Sequence, residues 1–464
     1  MSTLTWSSPV RKSNGLELCP IPNEIYLDIL EYIRPPHDAT ESIFATAKRD
    51  LSSLALVCRF FSATTLPWIF ENVCFSGSIG TRNTSAASES SFCRSILKGS
   101  GTARAMAGYV KKCVFQSWLS DDGDEWFREE LIGLYLDALA FMPNIEELTL
   151  METTITRDLL KAIGGLQKLS TLTINLCPCA PNLKHRYFAN LLSLRLKSCH
   201  FRSAVNDEFV LAINLDTVRH FTLQQKFTHP LFSRSHGPIP LEELDIFWVE
   251  SISECEALLS RATALKTIRV KHTHKLLDLS KIKQTSSTLP HLTTIEAPLD
   301  VAKFLVPGRP VSSITLTNST RGIIEFMRPC DIDVLVKSTR PITHLGISLY
   351  SHRDIPLWKH FPDMRSLEFL IYFDKSYLQV GLDPTTEIKT ISSVWPKLPN
   401  IQSLAIRFEG PEDLDEYFSL EKQLQWISED LFPHFPAIRR CSFTGFNRCQ
   451  WNYSESRVSW IAER

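Results

Sequence analysis

Apolar residues along this chain recur in one pattern: apolar, two others, apolar, one other, apolar. Thirteen copies begin at Val110, Ile145, Leu169, Leu191, Val218, Leu241, Leu265, Leu292, Val311, Ile342, Met364, Ile401 and Ile438. Successive starts lie 19 to 37 residues apart, most of them 22 to 27. The last two apolar positions are two residues apart, so on a strand they share a face, and the first packs where the chain enters the strand. Each unit leaves an apolar edge that only its neighbour covers, so the pattern predicts a stack of short parallel strands. The fullest copy runs Leu191-Leu-Ser-Leu194-Arg-Leu196-Lys-Ser-Cys199-His-Phe201.

The intervals carry the connecting elements. Met142-Pro143, Leu289-Pro290, Phe361-Pro362, Leu398-Pro399 and Phe435-Pro436 precede five copies; proline disfavours helix in the residue before it and so ends one element before the next strand. Helices are expected at 157–163, closed by Gly164-Gly165, and from Ser253 to Ala262, opened by the capping-box pattern Ser253-Glu-Cys-Glu256, with a longer one from Glu412 to Leu431. Ahead of the repeats, Ile25, Ile29, Leu30 and Ile33 form one helical stripe, and Leu51, Leu54, Val57 and Phe61 form another, capped by Asp50. Residues 76–91, rich in Ser, Thr and Gly, read as a linker or surface loop.

Composition narrows the function classes. Lys plus Arg is 50 against 51 Asp plus Glu, a net charge of −1, so no global field draws the chain to nucleic acid or an anionic membrane. There is no signal-peptide pattern at the start and no apolar run long enough to span a bilayer. The 12 scattered cysteines then read as reduced and mostly buried, in cytoplasm or nucleus. No phosphate loop, no His-Glu-x-x-His and no nucleophile elbow occurs. Cys177-Pro-Cys179 and His272-Thr-His274 are single pairs that close no metal site. No catalytic residue, metal or cofactor is expected.

The N-terminal signature resembles the F-box family. Ile21-Pro22, Glu24-Ile25, the pair Ile29-Leu30, the run Val57-Cys58-Arg59 and Trp68 match its motif in order over about 50 residues. The departure is about 16 inserted residues, Arg34 to Arg49, between its first two helices. The repeats behind it resemble the leucine-rich class of the same family, with Cys199 at the position where that repeat usually holds Asn or Cys. The resemblance implies an α/β fold in four parts: a flexible N-terminus at 1–17, a three-helix F-box at 18–75, the linker at 76–91, and an irregular leucine-rich-repeat solenoid at 92–464. It implies a substrate-recognition subunit of a ubiquitin ligase. A Skp-type adaptor, and through it a cullin scaffold, would be held by Pro22, Ile25, Leu30, Val57, Cys58 and Trp68. Ile29 and Leu54 are expected in the core of the helical unit. The alternative is a repeat scaffold with a helical cap and no ligase role.

A protein substrate is expected on the concave strand face. Strand alternation aims Arg195 and Lys197, then Glu243, Asp245 and Phe247, then Arg269 and Lys271 away from the core. Phe247 is the least ordinary of them, because a solvated face gains nothing from an exposed phenylalanine.

Overall fold

The computed structural model describes residues 12–13, 16–17, 21–34, 41–77, 84–119, 125–180, 183, 195–202, 207–224, 231–234, 237–247, 252–271, 288–317, 327–348, 356–372, 388–389, 391, 397–409, 419–444, 449–454 and 459–463. The chain divides into two compact units, 1–214 and 215–464.

The first unit opens with a small antiparallel hairpin, β1 (Lys12–Ser13) and β2 (Leu16–Glu17). Three helices follow: α1 (Asn23–Ile33), α2 (Glu41–Ala55) and α3 (Arg59–Glu71). Five parallel strands come next: β3 (Asn72–Ser76), β4 (Lys112–Gln116), β5 (Glu147–Met151), β6 (Thr171–Asn175) and β7 (Ser198–Phe201). Between them run α4 (Thr84–Leu97), α5 (Gly101–Ala107), α6 (Glu125–Leu139) and α7 (Arg157–Gly164), and α8 (Asp207–Leu211) follows.

The second unit carries parallel strands β8 (His220–Leu223), β9 (Glu243–Ile246), β10 (Thr267–Val270), β11 (Thr294–Pro298), β12 (Ser313–Thr317), β13 (His344–Ser348), β14 (Ser366–Tyr372), β15 (Ser403–Glu409) and β16 (Arg440–Thr444). Helices α9 (Ile252–Arg261), α10 (Leu299–Leu305), α11 (Pro329–Leu335), α12 (Leu357–His360) and α13 (Leu420–Gln425) sit in the intervals, the last running into a π-helical turn, Trp426–Leu431. The array ends in two antiparallel strands, β17 (Cys449–Ser454) and β18 (Ser459–Glu463).

The expected register holds in twelve copies of the pattern. The second and third apolar positions, such as Leu148 and Leu150 or Leu172 and Ile174, are buried, and the first, such as Ile145, packs at the strand entrance. A backbone device repeats with them. The residue after the first apolar position offers its carbonyl to two successive N–H groups of the next repeat: Lys111 to Glu146 and Glu147, Glu146 to Ser170 and Thr171, Ser170 to Lys197 and Ser198. In the second unit the same double acceptance recurs at Arg219, Glu242, Lys266, Thr293, Ser312, Thr343, Arg365 and Gln402. One parallel strand per repeat, with its apolar pair inside and this lead-in contact, is the leucine-rich-repeat arrangement.

The copy expected at Leu191 is shifted. Cys199 pairs with Leu172, and Phe201 with Ile174, so the inward pair is Cys199 and Phe201 and the copy begins at Leu196. The error has a physical cause. Leu191, Leu194, Leu196, Cys199 and Phe201 satisfy the pattern in two phases, and strand pairing decides between them. Leu191 and Leu194 lie outside the described residues.

The Asn position of the repeat is filled by other donors. In the first unit it falls on Trp118, Thr153 and Cys177. Trp118 Nε1 donates to Phe75 O at 3.0 Å, Thr153 Oγ1 to Met151 O at 2.9 Å, and Cys177 Sγ to Asn175 O at 3.2 Å. Just before them, Ser117, Glu152 and Leu176 each take φ near +50°, a left-handed column at the strand ends. Gly77 follows β3 next to the same column, where a Cβ would come within 2.7 Å of Ser117 O.

Four further boundaries differ from expectation. The repeats begin at β3, inside 18–75, rather than at residue 92. Residues 76–91 hold the end of β3 and the first half of α4: its local composition is loop-like, but Cys93 and Ile96 bury one face and Glu89 accepts the Ser76 N–H at 3.3 Å. Helix α2 starts at Glu41, so part of the insertion lengthens a helix and Asp50 is interior rather than a cap. Ser253 likewise lies inside α9 rather than at its cap, and its neighbour Glu254 accepts from Phe232 N at 2.6 Å and Ser233 Oγ at 2.8 Å.

Candidate protein-binding faces

The three N-terminal helices pack through aromatic contacts. Tyr26 of α1 lies 6.0 Å from the Phe60 ring and 5.5 Å from the Phe61 ring of α3. Leu30 and Leu51 are fully buried. At the end of α1, Arg34 lies over the Trp68 ring and pairs with Glu71, which also binds Lys111 at 3.0 Å. This ties α1 and α3 to the start of the second strand of the array.

Much of the apolar surface of these helices is left open. Ile25 is 47% exposed and Ile29 50%, on one stripe with the exposed Tyr32. At the turn between α2 and α3, Leu56 is 89% and Val57 65% exposed. Ile29, expected in the core, is therefore on the surface, and Leu54 is half-buried. Of the six residues expected to hold an adaptor, Pro22, Ile25 and Val57 are exposed. Cys58 is half-buried at the start of α3, Trp68 is half-buried beneath Arg34, and Leu30 braces from inside.

The residues expected to bind substrate separate. Arg195 and Lys197 lie ahead of β7, so they are lead-in residues and not members of a strand face. Ser198 and His200 take the outward positions. In the second unit the alternation is as expected, and Asp245 pairs with Arg269 across β9 and β10. Phe247 and Lys271 follow directly after their strands, with N–H groups donated to Leu223 O and Ile246 O. Phe247 is half-buried.

The outward face of the second unit is knit together by charge. Arg269 lies 3.9 Å from Glu243 and 3.6 Å from Glu296. Arg407 contacts Glu296 at 3.0 Å and Glu368 at 2.8 Å. Glu368 also meets Thr315 Oγ1 at 3.4 Å and His344 Nε2 at 3.7 Å, and His344 Nδ1 meets Ser366 Oγ at 2.9 Å. Burial pushes the Glu368 carboxyl up, but His344 and Arg407 outweigh it and hold it below its ordinary value. Over β13 and β14 both faces are covered: Ser348 and Leu370 point outward yet are buried. Sequence reasoning missed Glu296, Glu368 and Arg407. Glu296 and Glu368 occupy the same place in the pattern as Asp245 and Arg269, between the second and third apolar residues, so the signal was present in the later copies.

The outward face of the first unit is different. One row runs straight across its strands: Cys74, Val114, Thr149, Thr173 and His200. The first four are small side chains. On one side the row is bordered by Asn72, Lys112, Glu147, Thr171 and Ser198, of which Lys112 and Glu147 pair with each other at 3.1 Å. On the other stand Gln116, Met151, Asn175 and Arg202. The side chains of Gln116, Thr149, Thr173 and Asn175 make no hydrogen bond, and Arg202 makes no ion pair, among the described residues.

Among the described residues no three His, Cys, Asp or Glu side chains converge on a metal position, and no helix is long and apolar enough to cross a membrane. Cys177 is buried and Cys179 makes one bridge to Ile155, while His272 and His274 lie outside the described residues.

No family model and no curated protein matches the chain. Among solved structures it is similar to an internalin from Listeria monocytogenes, at 13% identity and a TM-score of 0.34 over 70% of this chain and 89% of that one. It is also similar to TLR13 in a complex with ssRNA13, at 14% identity and a TM-score of 0.33 over 74% of this chain. The match spans 48%, about half, of the TLR13 chain. At these scores neither likeness carries weight; the repeat architecture rests on the strand register and the lead-in contacts above.

Proposed function

We propose that this chain is the non-catalytic substrate receptor of a Skp–cullin–F-box ubiquitin ligase, acting in cytoplasm or nucleus. Helices α1 to α3 would dock a Skp-type adaptor, and through it a cullin scaffold, while the repeats hold a protein substrate. The observation that supports this is the open apolar surface of the helical unit. Ile25, Ile29, Leu56 and Val57 gain nothing from water, and a unit this small needs them for its own core unless another protein covers them.

The test is co-expression of the full chain with a Skp-type adaptor. The wild type should co-purify, and Ile25→Asp with Ile29→Asp should lose the adaptor at an unchanged thermal midpoint, since both side chains are already exposed. A wild-type chain that leaves the adaptor behind removes the ligase reading and leaves a repeat scaffold with a helical cap.

A further inference from the structure

We infer that the edge where the chain enters β14 to β16 docks an acidic segment of a partner protein, whose carboxylates meet Arg365 and the cations beside it. The molecule supplies its own comparison. Two sets of three consecutive lead-in residues carry the same backbone contacts. Arg219 O accepts from Glu242 N at 2.8 Å, and Glu242 O accepts from Lys266 N at 2.8 Å. Arg365 O accepts from Gln402 N at 2.7 Å, and Gln402 O accepts from Arg439 N at 2.8 Å. In the first set the middle residue is an acid that joins its neighbours: the Glu242 carboxylate lies 2.6 Å from Lys266 and 3.3 Å from Arg219. The hydrogen-bonded Lys266 ammonium and then Arg219 hold that carboxyl below its ordinary value. In the second set the outer residues are again cations, but Gln402 brings no charge between them.

The surroundings of the second set add to the imbalance. The equivalent approaches to β14, β15 and β16, residues 360–366, 397–403 and 434–440, hold Arg365, Lys397, Arg439 and Arg440 against one acid, Asp363. All four cations are exposed, and Arg365, Lys397 and Arg440 make no ion pair among the described residues. Arg439 lies over the Tyr453 ring, 5.3 Å from its centroid. Arg365 and Arg439 are two strand spacings apart, about 10 Å, close to one screening length at physiological salt, so their mutual repulsion is only partly screened. An incoming carboxylate relieves that repulsion and meets donors whose fork matches it. The occupant is chosen by size and chemistry. The group spans three repeats on a chain of net charge −1, too short a track for the many phosphates of a nucleic acid and too local for a lipid surface. The first set shows that a carboxylate suits this backbone position. This docking edge does not depend on the adaptor reading, whose residues lie in the other unit.

The probe is a fluorescein-labelled oligoglutamate peptide titrated into the full-length protein by anisotropy, beside oligoglutamine, oligouridylate and phosphatidylserine vesicles. Oligoglutamate should bind best, and more weakly as sodium chloride rises from about 50 to about 300 mM. Gln402→Glu installs the acid that Glu242 provides in the first set, so it should weaken the peptide about tenfold or more. Arg365→Glu should act in the same direction, whereas Arg219→Gln should leave affinity unchanged. These side chains are exposed or half-buried at the surface, and thermal midpoints of all variants guard against unfolding. Equal binding of oligoglutamine, a preference for oligouridylate or vesicles, or undiminished binding by Gln402→Glu at an unchanged midpoint would each overturn the assignment. Adaptor co-purification run alongside keeps the readings apart: Gln402→Glu should retain the adaptor, and a wild type that binds oligoglutamate without the adaptor sinks the ligase role alone.

Discussion

The Arg407 guanidinium lies 3.0 Å from the Glu296 carboxylate although the two residues are 111 positions apart in sequence. They sit on β15 and β11, four strand spacings apart, about 19 Å on a flat sheet. Two side chains do not bridge that distance, so these strands curve toward their outward face. Small residues, Gly346 and Ala405, share the row of Glu296 and Glu368, and Glu368 stands between the two as a second partner of Arg407. A Cβ on Gly346 would come within 2.7 Å of the Thr315 side chain. Arg407→Ala strands the buried Glu368 carboxylate, so we expect it to cost about 3 kcal/mol in chemical denaturation. Adding Glu368→Gln should recover part of that loss; a double variant no more stable than Arg407→Ala would mean the pair is not what holds the face.

Acid should unfold the second unit through its buried carboxylates. Burial raises Glu368, but His344 and Arg407 lower it more, and its folded-state value is depressed. Asp331 behaves alike: burial raises it, and Lys303 at 2.7 Å with Arg328 outweighs burial. A depressed carboxylate contributes stability that is complete above its unfolded value, about 4, and is lost as pH falls through the folded value. Glu368→Gln and Asp331→Asn should each cost about 1–3 kcal/mol at neutral pH and flatten the loss below about pH 4. Parallel pH profiles of wild type and variants would rule this out.

Arg309 is a buried cation held by acceptors, with no carboxylate beside it among the described residues. Its guanidinium donates to Thr288 O at 3.0 Å, Thr288 Oγ1 at 2.9 Å, Leu305 O at 2.7 Å and Phe304 O at 3.2 Å. Two of these acceptors close the C-terminal end of α10, where a cation is favoured. Lysine presents one ammonium and no fork, so Arg309→Lys leaves buried carbonyls unmet. Equilibrium unfolding should show a loss of about 2 kcal/mol or more, and a loss within about 0.5 kcal/mol would mean the contacts contribute little.

How much of this was legible follows from what the pattern encodes. Apolar spacing is a core property, so it located twelve strands to the residue and placed Leu148, Leu172 and Ile268 inward without any structure. It failed where the core signal is redundant, at Leu191 to Phe201, and where local composition opposes tertiary burial, at α4. Ion pairs such as Arg407 with Glu296 depend on curvature over several strands, which no local pattern reports. The adaptor residues split for a similar reason. A motif match does not separate Leu30, which faces the interior, from Ile25 and Ile29, which face out.

The register correction makes the sharpest test, because two cysteines exchange roles between the readings. If the repeat began at Leu191, Cys199 would hold the Asn position and an asparagine there would be welcome. In the structure Cys199 is an inward strand residue with no exposed surface, and burial pushes its thiol well above the ordinary range. Cys177 holds the Asn position instead, its Sγ donating to Asn175 O at 3.2 Å. An amide at 177 keeps a donor where a carbonyl waits, so Cys177→Asn should change stability by less than about 1 kcal/mol. An amide at 199 meets only the apolar interior, and Cys199→Asn should cost about 2 kcal/mol or more. Thermal and denaturant unfolding of the two variants decides between the phases. The reverse order of stabilities would restore the start at Leu191 and return Arg195 and Lys197 to the outward face.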